Sequence, residues 1–339
     1  MVGLLKQYWL VIFISVAAWV AVWWYLGFAA FVVTVILSIL EITLSADNAV
    51  VNSRVLVKLS PFWQRLFLTV GILIAVFAVR FALPIVMVAI ATALDFSSVL
   101  SLAISNPTEY GHKLHDVAPI IDGFGGMFLF MVALFFFIDA KRSDRWLKLP
   151  ENFGAKLAKV RFIKLLLTTL AFATVLLVAP EGNKVTVGVA AFLGAAVYSL
   201  LYGVTVLMER ANQKKALTQQ VGWAAFSLFM YLQVLDASFS LDGVVGAFAL
   251  SSNIFIIMAG LGVGALWVRT MTIYMVHHET LAKYKYLEAG AHWAILCLAA
   301  IMCLKLVGIE LPEVVIGSVG LVFIAGSLFG SVRSNTARK

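Results

Sequence analysis

Charged residues, cysteines and nucleotide-binding motifs are all scarce in this 339-residue sequence, and each scarcity excludes a class of protein. Charged residues make up only 12% of the chain, against roughly 25% in soluble domains, so a soluble globular protein is excluded. The two cysteines, Cys297 and Cys303, lie six residues apart in one apolar stretch, which excludes a disulfide framework and disfavours a thiolate metal site. No G-x-x-x-x-G-K-[ST] motif is present, so a P-loop ATPase is also excluded.

Long apolar runs make up most of what remains, with 63% hydrophobic residues and a mean hydropathy of +1.01. A helix needs about 20 apolar residues to cross a bilayer, and the runs are continuous rather than alternating, which excludes a membrane β-barrel. We therefore predict an all-α polytopic membrane protein with about ten transmembrane helices. The predicted spans are 9–27, 30–51, 66–94, 120–139, 163–180, 184–208, 221–250, 252–277, 287–306 and 311–330. The first is expected to be an uncleaved helix, with a signal peptide cleaved near Ala29 or Ala30 as the alternative.

Basic residues are unevenly distributed between the predicted loops. Short cytoplasmic loops are enriched in Lys and Arg, and placing both termini in the cytoplasm puts 20 of the 25 basic residues on that side. Lys113, Lys184 and Lys305 fall on the other side, and Arg80 and Arg269 lie inside spans. The net charge of +8 therefore indicates orientation rather than nucleic-acid binding. We expect a multi-pass protein of a bacterial inner membrane with both termini cytoplasmic.

The charge distribution also divides the chain into an N-terminal membrane half (1–140), a cytoplasmic basic loop (141–162) and a C-terminal membrane half (163–339). The loop mixes its basic residues with Leu147, Phe153 and Leu157. Such a segment is either an amphipathic helix lying on anionic lipid or a solvated linker. The linker interpretation is favoured, because loop charge of this sign is required for orientation in any case.

Two segments of the chain resemble each other. LEITLSADNAV (40–50) and LDASFSLDGVV (235–245) share the pattern [ED]-x-x-x-S-x-D-[NG]-x-V. A glycine then precedes an intramembrane arginine by nine residues in both copies, as Gly71 before Arg80 and Gly260 before Arg269. The copies lie five spans apart and therefore run in opposite directions. This predicts inverted repeats, over about 35–140 and 221–306, of the kind found in secondary transporters.

The motif places four acids at membrane depth, namely Glu41, Asp47, Asp236 and Asp242. A carboxylate there is costly unless it has a partner, and a cation is the natural one. At 100° per residue, one helix face of the first copy carries Glu41, Ser45 and Asn48, and the matching face of the second carries Asp236, Ser240 and Gly243. Asp47 and Asp242 point about 120° away from these faces. All four acids can meet one ion only if the helices unwind locally, for which Asn48 and Gly243 are the best-suited positions.

The predicted metal-binding residues are all oxygen donors: Glu41, Ser45, Asp47, Asn48, Asp236, Ser240 and Asp242. Such a set suits Mn²⁺, Mg²⁺ or Ca²⁺ and disfavours Cu⁺. Arg80 and Arg269 are predicted as gating or charge partners. They either pair with Asp47 and Asp242 or bind helix carbonyls, and the pairing is favoured because an unpaired guanidinium at that depth is costly.

Acidic residues outside the motif are weaker candidates. Asp122, at the predicted start of the fourth span, either lines the pathway as a further gating residue or is an ordinary helix-start acid. The predicted outer loop 95–119 carries five acidic or histidine residues and forms either an acidic vestibule or a solvated surface. These residues are Asp95, Glu109, His112, His115 and Asp116.

The segments LEITLSADNAVV, FGGMFLFMV and YLEAGAHWAI, together with the arginine span, resemble the TerC family of integral membrane proteins, and more narrowly its DUF475 branch. The resemblance covers about 35–305 and implies kinship with LysE-type exporters, an association with tellurite resistance, and manganese export by some members. It implies transport-site roles for Glu41, Asp47, Asn48, Asp236 and Asp242. Asp236 and Gly243 replace Glu and Asn in the second copy, so a symmetric site is in doubt. Tellurite is an anion that carboxylates should repel, so resistance would be an indirect effect.

The leading hypothesis is therefore an exporter of Mn²⁺, with Ca²⁺ or Mg²⁺ as alternative ions, rather than an enzyme. Moving two charges outward against about 100 mV costs roughly 4.6 kcal/mol, so export requires coupling, for which proton antiport is the expected source. The expected partners are the lipid bilayer, the transported cation and protons, with no nucleic acid. A different cation/proton exchanger, an intramembrane enzyme and a membrane scaffold that presents metal without transporting it are the alternatives.

Overall fold

The computed structural model describes residues 2–140, 142–213, 221–248, 250, 251 and 253–336. Within these ranges the side chains at 2–7, 205, 208–213, 241, 242, 245, 246, 281, 313, 314 and 336 are not described. The predicted metal ligand Asp242 therefore has a described backbone only. Five of the 20 basic residues assigned to the cytoplasmic side lie outside the described residues, namely Lys141, Lys214, Lys215, Arg338 and Lys339.

Throughout its described part the chain is helical, without β-strands, which confirms the all-α polytopic class. Its α-helices are α1 (Val2–Leu26), α2 (Phe28–Leu44), α3 (Ala46–Leu56), α4 (Pro61–Leu68), α5 (Val70–Leu73), α6 (Leu83–Thr92), α7 (Phe96–Ser105), α8 (Pro107–Phe137), α9 (Lys148–Leu157), α10 (Ile163–Val178), α11 (Lys184–Gln213), α12 (Gly222–Ala247), α13 (Ile254–His277), α14 (Thr280–Lys283), α15 (Leu287–Lys305) and α16 (Glu313–Thr336). A π-helix, Ile74–Ala82, joins α5 to α6, and a short 3-10 helix, Glu181–Asn183, precedes α11.

Seven helical stretches in the described part are long and apolar enough to cross a membrane, and eight if α2 and α3 count as one bent span. These stretches correspond to eight of the ten predicted spans. The other two positions are occupied by α12 and by α10, an apolar helix of 16 residues. A helix thus occurs at every predicted position, whereas the number that crosses the bilayer stays a prediction.

The segment 95–119, predicted as an outer loop, is helical, with α7 and the first part of α8, and whether it lies outside the membrane stays a prediction. The polar residues of this region act as helix caps. The Asp95 carboxylate accepts a hydrogen bond from the Ser98 amide at 3.0 Å, and the Asn106 side chain caps α8 immediately before Pro107. Hydrogen bonds from Ser97 and Ser98 also keep the pKa of Asp95 below its usual range. Asp122 consequently lies inside α8 and not at a helix start.

Packing at the centre of the bundle crosses between the two halves of the chain. Helix α2 of the first half lies along α13 of the second, and α12 of the second half lies against the π-helix of the first. Glycines allow the close approach of α2 and α13. A Cβ atom built on Gly260 would lie 2.5 Å from Leu37 Cβ, and one on Gly264 would collide with Glu41 Cβ and Cγ. This contact places Glu41 at the interface of the halves.

Candidate functional site

The first motif carries a buried ion pair between two membrane helices. Glu41, near the end of α2, and Arg80, in the π-helix, are both nearly inaccessible to solvent. Arg80 Nη2 donates to Glu41 Oε1 at 2.5 Å, and Ser45 Oγ donates to the same oxygen at 3.0 Å. Arg80 Nη1 donates to the carbonyl oxygen of Ala75 at 3.0 Å. A π-helix is rare and widens the helix by one residue per turn, and here it carries the arginine that reaches the carboxylate.

The second motif forms the same kind of pair at the matching positions. Arg269 Nη2, on α13, donates to Asp236 Oδ2, on α12, at 2.8 Å. The same nitrogen donates to Gln233 Oε1 at 3.1 Å, and Nη1 donates to the carbonyl oxygen of Phe67 at 2.9 Å. The guanidinium also lies over the Phe67 ring, 4.3 Å from its centroid. The Asp236–Arg269 pair is therefore bound more extensively than the Glu41–Arg80 pair.

One side-chain hydrogen bond joins the two motifs directly. Asn48 Nδ2, on α3, donates to Asp236 Oδ1 at 3.0 Å, across 188 residues of sequence. At the position in the second copy that corresponds to Asn48, a Cβ atom on Gly243 would lie 3.5 Å from Glu41 Oε2. The Asn or Gly of each motif thus faces the first acid of the other motif. The two halves meet at this point.

Asp47 becomes part of the site because the membrane helix is broken at Ser45. Ser45 ends α2 and precedes α3 with φ −102° and ψ 14°, and the two helices are bent by 54°. Asp47 points away from Glu41 only in a straight helix, and the break at Ser45 is a local interruption of the kind that the expectation required. Asp47, Glu41, Ser45 and Gly243 line one cavity of about 30 Å³. That volume admits a single water-sized particle.

The positions predicted for the unwinding, Asn48 and Gly243, are wrong. The break lies three residues before Asn48, and α12 continues without interruption through Gly243. Both residues instead act in the contact between the halves, where an amide donor or the lack of a side chain is needed.

Both arginines pair with motif acids, and among the described side chains these are the first acids of the motifs and not Asp47; a pair with Asp242 lies outside the described side chains. Arg80 and Arg269 bind Glu41 and Asp236 rather than Asp47, and they also bind helix carbonyls, so the two alternatives hold together. Asp47 lies beyond the break, where its Oδ1 accepts the Asn48 amide at 2.9 Å and no described cation is within 4 Å. Its side chain is nevertheless buried.

The described side chains do not form a complete metal coordination sphere. No group of three or more His, Cys, Asp or Glu residues among them is close enough to hold a metal ion. Two buried oxygen atoms of the predicted metal-binding residues, Asn48 Oδ1 and Ser240 Oγ, have no hydrogen-bond partner among the described residues. Oxygen donors are therefore available beside the two ion pairs.

Asp122 does not reach this cavity. It lies buried in α8 and lines a separate, mainly apolar cavity of about 610 Å³ between α8, α10 and α15. Its predicted role in the pathway gains no support from this position.

Several residues of the site carry no strong sequence signal. The apolar wall of the cavity at Asp47 comes from α15 and α16, through Ala294, Leu298, Ile301, Ile316, Val319 and Gly320. Such residues resemble any lipid-facing or packing residue. Gln233 could have been found, because a glutamine three residues before an intramembrane acid lies near the same helix face.

Comparison with known proteins identifies a family but no characterised relative. No curated protein and no solved structure matches the chain. Residues 46–338 match the model of a family described as a protein of unknown function, DUF475. The match covers both arginines, the second motif and the first motif from Ala46 onward. Because it extends over most of the sequence, the chain belongs to the DUF475 family.

Proposed function

We propose that this protein is a secondary transporter that exports a hard divalent cation, with Mn²⁺ as the preferred substrate and protons as the counter-ion. The observation that carries the proposal is the arrangement of two buried arginine–carboxylate pairs beside a broken membrane helix. Broken helices and midplane charges are characteristic of secondary transporters. The proposal includes an inverted-repeat architecture, a bacterial inner-membrane location, cytoplasmic termini and kinship with the TerC and LysE-type exporters.

The arginines give the site a way to exchange one positive charge for another. A buried carboxylate requires a cationic partner, and Arg80 and Arg269 supply it to Glu41 and Asp236. A transported cation that enters the site would replace the guanidinium as the partner of the carboxylate. Each arginine has a second anchor on a backbone carbonyl, to which it remains bound when it leaves the acid. We expect the arginines to stabilise the carrier when no cation is bound.

The donor atoms and their charge favour a hard divalent ion. The two motifs contain four acids and the spans two arginines, a formal net charge of −2. Serine, asparagine and carboxylate oxygens surround the pairs, and these are the ligands of Mn²⁺, Mg²⁺ and Ca²⁺. Ca²⁺ takes six to eight oxygen ligands and Mg²⁺ takes six, so the donor atoms alone do not separate these ions. The preference for Mn²⁺ rests on the resemblance to the manganese exporters of the TerC family.

Two other functions remain as alternatives to transport. An intramembrane hydrolase would need two acids free to activate water. Glu41 and Asp236 are each engaged by an arginine, which leaves Asp47 as the one motif acid with a described side chain and no arginine partner. A scaffold that presents metal without moving it would not need arginines that compete for the carboxylates. Both features favour transport.

Flux of Mn²⁺ in reconstituted vesicles tests the proposal. Purified protein in liposomes loaded with a metal-sensitive dye should move Mn²⁺ well above protein-free liposomes, and excess Mg²⁺, which takes the same oxygen ligands, should compete with it. Metal binding without flux would instead support the scaffold.

The coupling is tested by separating the pH gradient from the membrane potential. Collapsing the pH gradient while a potassium diffusion potential is clamped should slow Mn²⁺ movement, because no nucleotide site is available to drive it. Flux that is indifferent to the pH gradient would refute proton antiport while leaving Mn²⁺ transport intact.

A further inference from the structure

The loop between the two membrane halves is folded and fixed to the bundle by one buried acid. Glu151, in α9, is almost inaccessible and forms an ion pair with Arg142. Its Oε1 also accepts hydrogen bonds from Trp293 Nε1 and from the Leu147 amide, both at 3.0 Å. The amide of Trp146 donates to Oε2 at 3.3 Å. The orientation of α9 relative to the membrane helices is therefore fixed.

Two contacts place this loop at the depth of the last turns of the membrane helices. Trp293 lies six residues after the start of α15 at Leu287, which is about 9 Å along the helix axis. The Trp146 ring packs on α16 at Gly330, where a Cβ atom would lie 2.9 Å from its Nε1, six residues before the end of α16. Tryptophan is enriched at this level of a bilayer. The loop therefore lies beside the helix ends and not beyond them.

The exposed side of α9 carries a short apolar stripe. Glu151, Gly154 and Ala155 face the bundle, whereas Leu149 is 88% exposed and Phe153 63% exposed. At 100° per residue, Leu149 and Phe153 lie along one edge of the exposed side, and Leu157, next along the same edge, is half-buried against the cluster of Leu134, Ile138 and Ile163. Val160 and Phe162 are also exposed, immediately before the apolar helix α10 begins at Ile163.

The other edge of the exposed side is polar and borders a basic groove. Lys148, Asn152 and Lys156 follow this edge, and all are exposed. The groove, of about 280 Å³, is lined by Arg145, Lys148 and Lys285 against one acid, Asp144, with Asn152, Ser143 and Tyr286 completing it. Arg145 Nη1 donates to Asn152 Oδ1 at 2.7 Å, which holds one cation at the rim.

We propose that α9 is an interfacial helix that binds the headgroup phosphate of an anionic lipid in this groove, with Leu149 and Phe153 inserted at the acyl boundary. The buried anchor Glu151, the position beside the helix ends, the apolar stripe and most of the basic groove belong to one short segment. Helices that bind an anionic bilayer surface combine these features. The proposal favours the amphipathic-helix alternative for residues 141–162 over the solvated linker. The inference does not depend on what the protein transports.

A depth measurement tests the inserted stripe. Phe153→Cys, in the full-length chain with Cys297→Ala and Cys303→Ala, carries an NBD fluorophore and is reconstituted in vesicles of equal parts phosphatidylglycerol and phosphatidylcholine. We expect nitroxide-labelled lipid to quench the fluorophore strongly and aqueous iodide to quench it weakly. The same fluorophore at Lys283→Cys, an exposed position at the same end of the bundle, should be quenched strongly by iodide and weakly by the nitroxide-labelled lipid. Equal iodide quenching at both positions would overturn the proposal, and so would protection of Phe153→Cys that appears only after a soluble cell extract is added.

A second arm tests the groove by thermal unfolding of the reconstituted protein. Phosphatidylglycerol should raise the unfolding midpoint relative to phosphatidylcholine alone, and Lys148→Gln with Lys285→Gln should abolish this increase. The control variant, Lys283→Gln with Arg333→Gln, removes the same number of charges outside the groove, and phosphatidylglycerol should still raise its unfolding midpoint. A full increase in the groove variant would overturn the assignment, as would inorganic phosphate producing the same increase in phosphatidylcholine vesicles.

Discussion

Among the motif carboxylates, Glu41 and Asp236 are each held by one arginine, whereas the described partner of Asp47 is the amide of the next residue. Burial of a carboxylate without a cation is costly, so Asp47 is the described position at which an added positive charge gains most. The two kinds of acid should therefore respond differently to substitution. Loss of Asp47 should affect transport, and loss of Glu41 should affect the fold as well.

Asp47→Asn is expected to reduce Mn²⁺ transport at least tenfold while the protein remains folded. The amide keeps the size of the side chain but removes the charge that binds a divalent ion, and charge interactions are strong in a poorly solvated site. The repeat predicts the same result for Asp242→Asn. Asp144→Asn, on the exposed loop, is the matched control and should change little. Folded, abundant Asp47→Asn protein that transports Mn²⁺ at the wild-type rate would place the ion site elsewhere.

Glu41→Gln is expected to lower the free energy of unfolding by about 3–5 kcal/mol, because it leaves the buried guanidinium of Arg80 without a counter-charge. The double variant Glu41→Gln with Arg80→Gln removes both charges and should be more stable than the single variant. Thermal unfolding of the purified proteins in one detergent gives the comparison. A double variant less stable than the single one would mean that the arginine is held mainly by its bond to the Ala75 carbonyl.

At the scale of elements, the sequence predicts the positions of the membrane helices better than their internal shape. Apolar runs locate α2, α8 and α13, and the glycine-to-arginine spacing identifies the two helices that supply the guanidinium groups. The break at Ser45 and the π-helix are not visible as apolar runs, and both change which side chains meet. Asn106 and Pro107 are a recognisable sequence signal for the start of α8. They lie in a polar region, however, and the spans were predicted from apolar runs alone.

Gly264→Ala should destabilise the contact between α2 and α13. The added methyl group would collide with Glu41 Cβ and Cγ and would lie 3.0 Å from the Ser38 carbonyl oxygen, and overpacking of this kind costs about 1–3 kcal/mol. Gly203→Ala is the matched control, because nothing lies within 4 Å of its added Cβ atom and alanine favours a helix interior. Equal unfolding midpoints in the two variants would show that the helices separate at little cost.

At the scale of the whole molecule, the direction in which each half crosses the bilayer decides whether the two motifs are inverted copies. Reporter fusions after Asn183 and after Glu209 should lie on opposite sides of the membrane, outside and inside respectively, because α11 connects them. The measurement uses an enzyme active only in the periplasm and a second active only in the cytoplasm. If both fusions report the same side, the inverted repeat and the cytoplasmic termini are wrong.

Each ion pair forms within one half of the chain, whereas the close packing of α2 on α13 joins the two halves. This difference has a consequence for biosynthesis. A ribosome that adds roughly 5–20 residues per second supplies Arg80 within about 2–8 s of Glu41 but reaches Gly264 only some 10–40 s later. We therefore expect α2 to leave the translocon with its charge already neutralised and its packing surface still against lipid. Each half would then enter the bilayer by itself, and assembly would follow the arrival of the other.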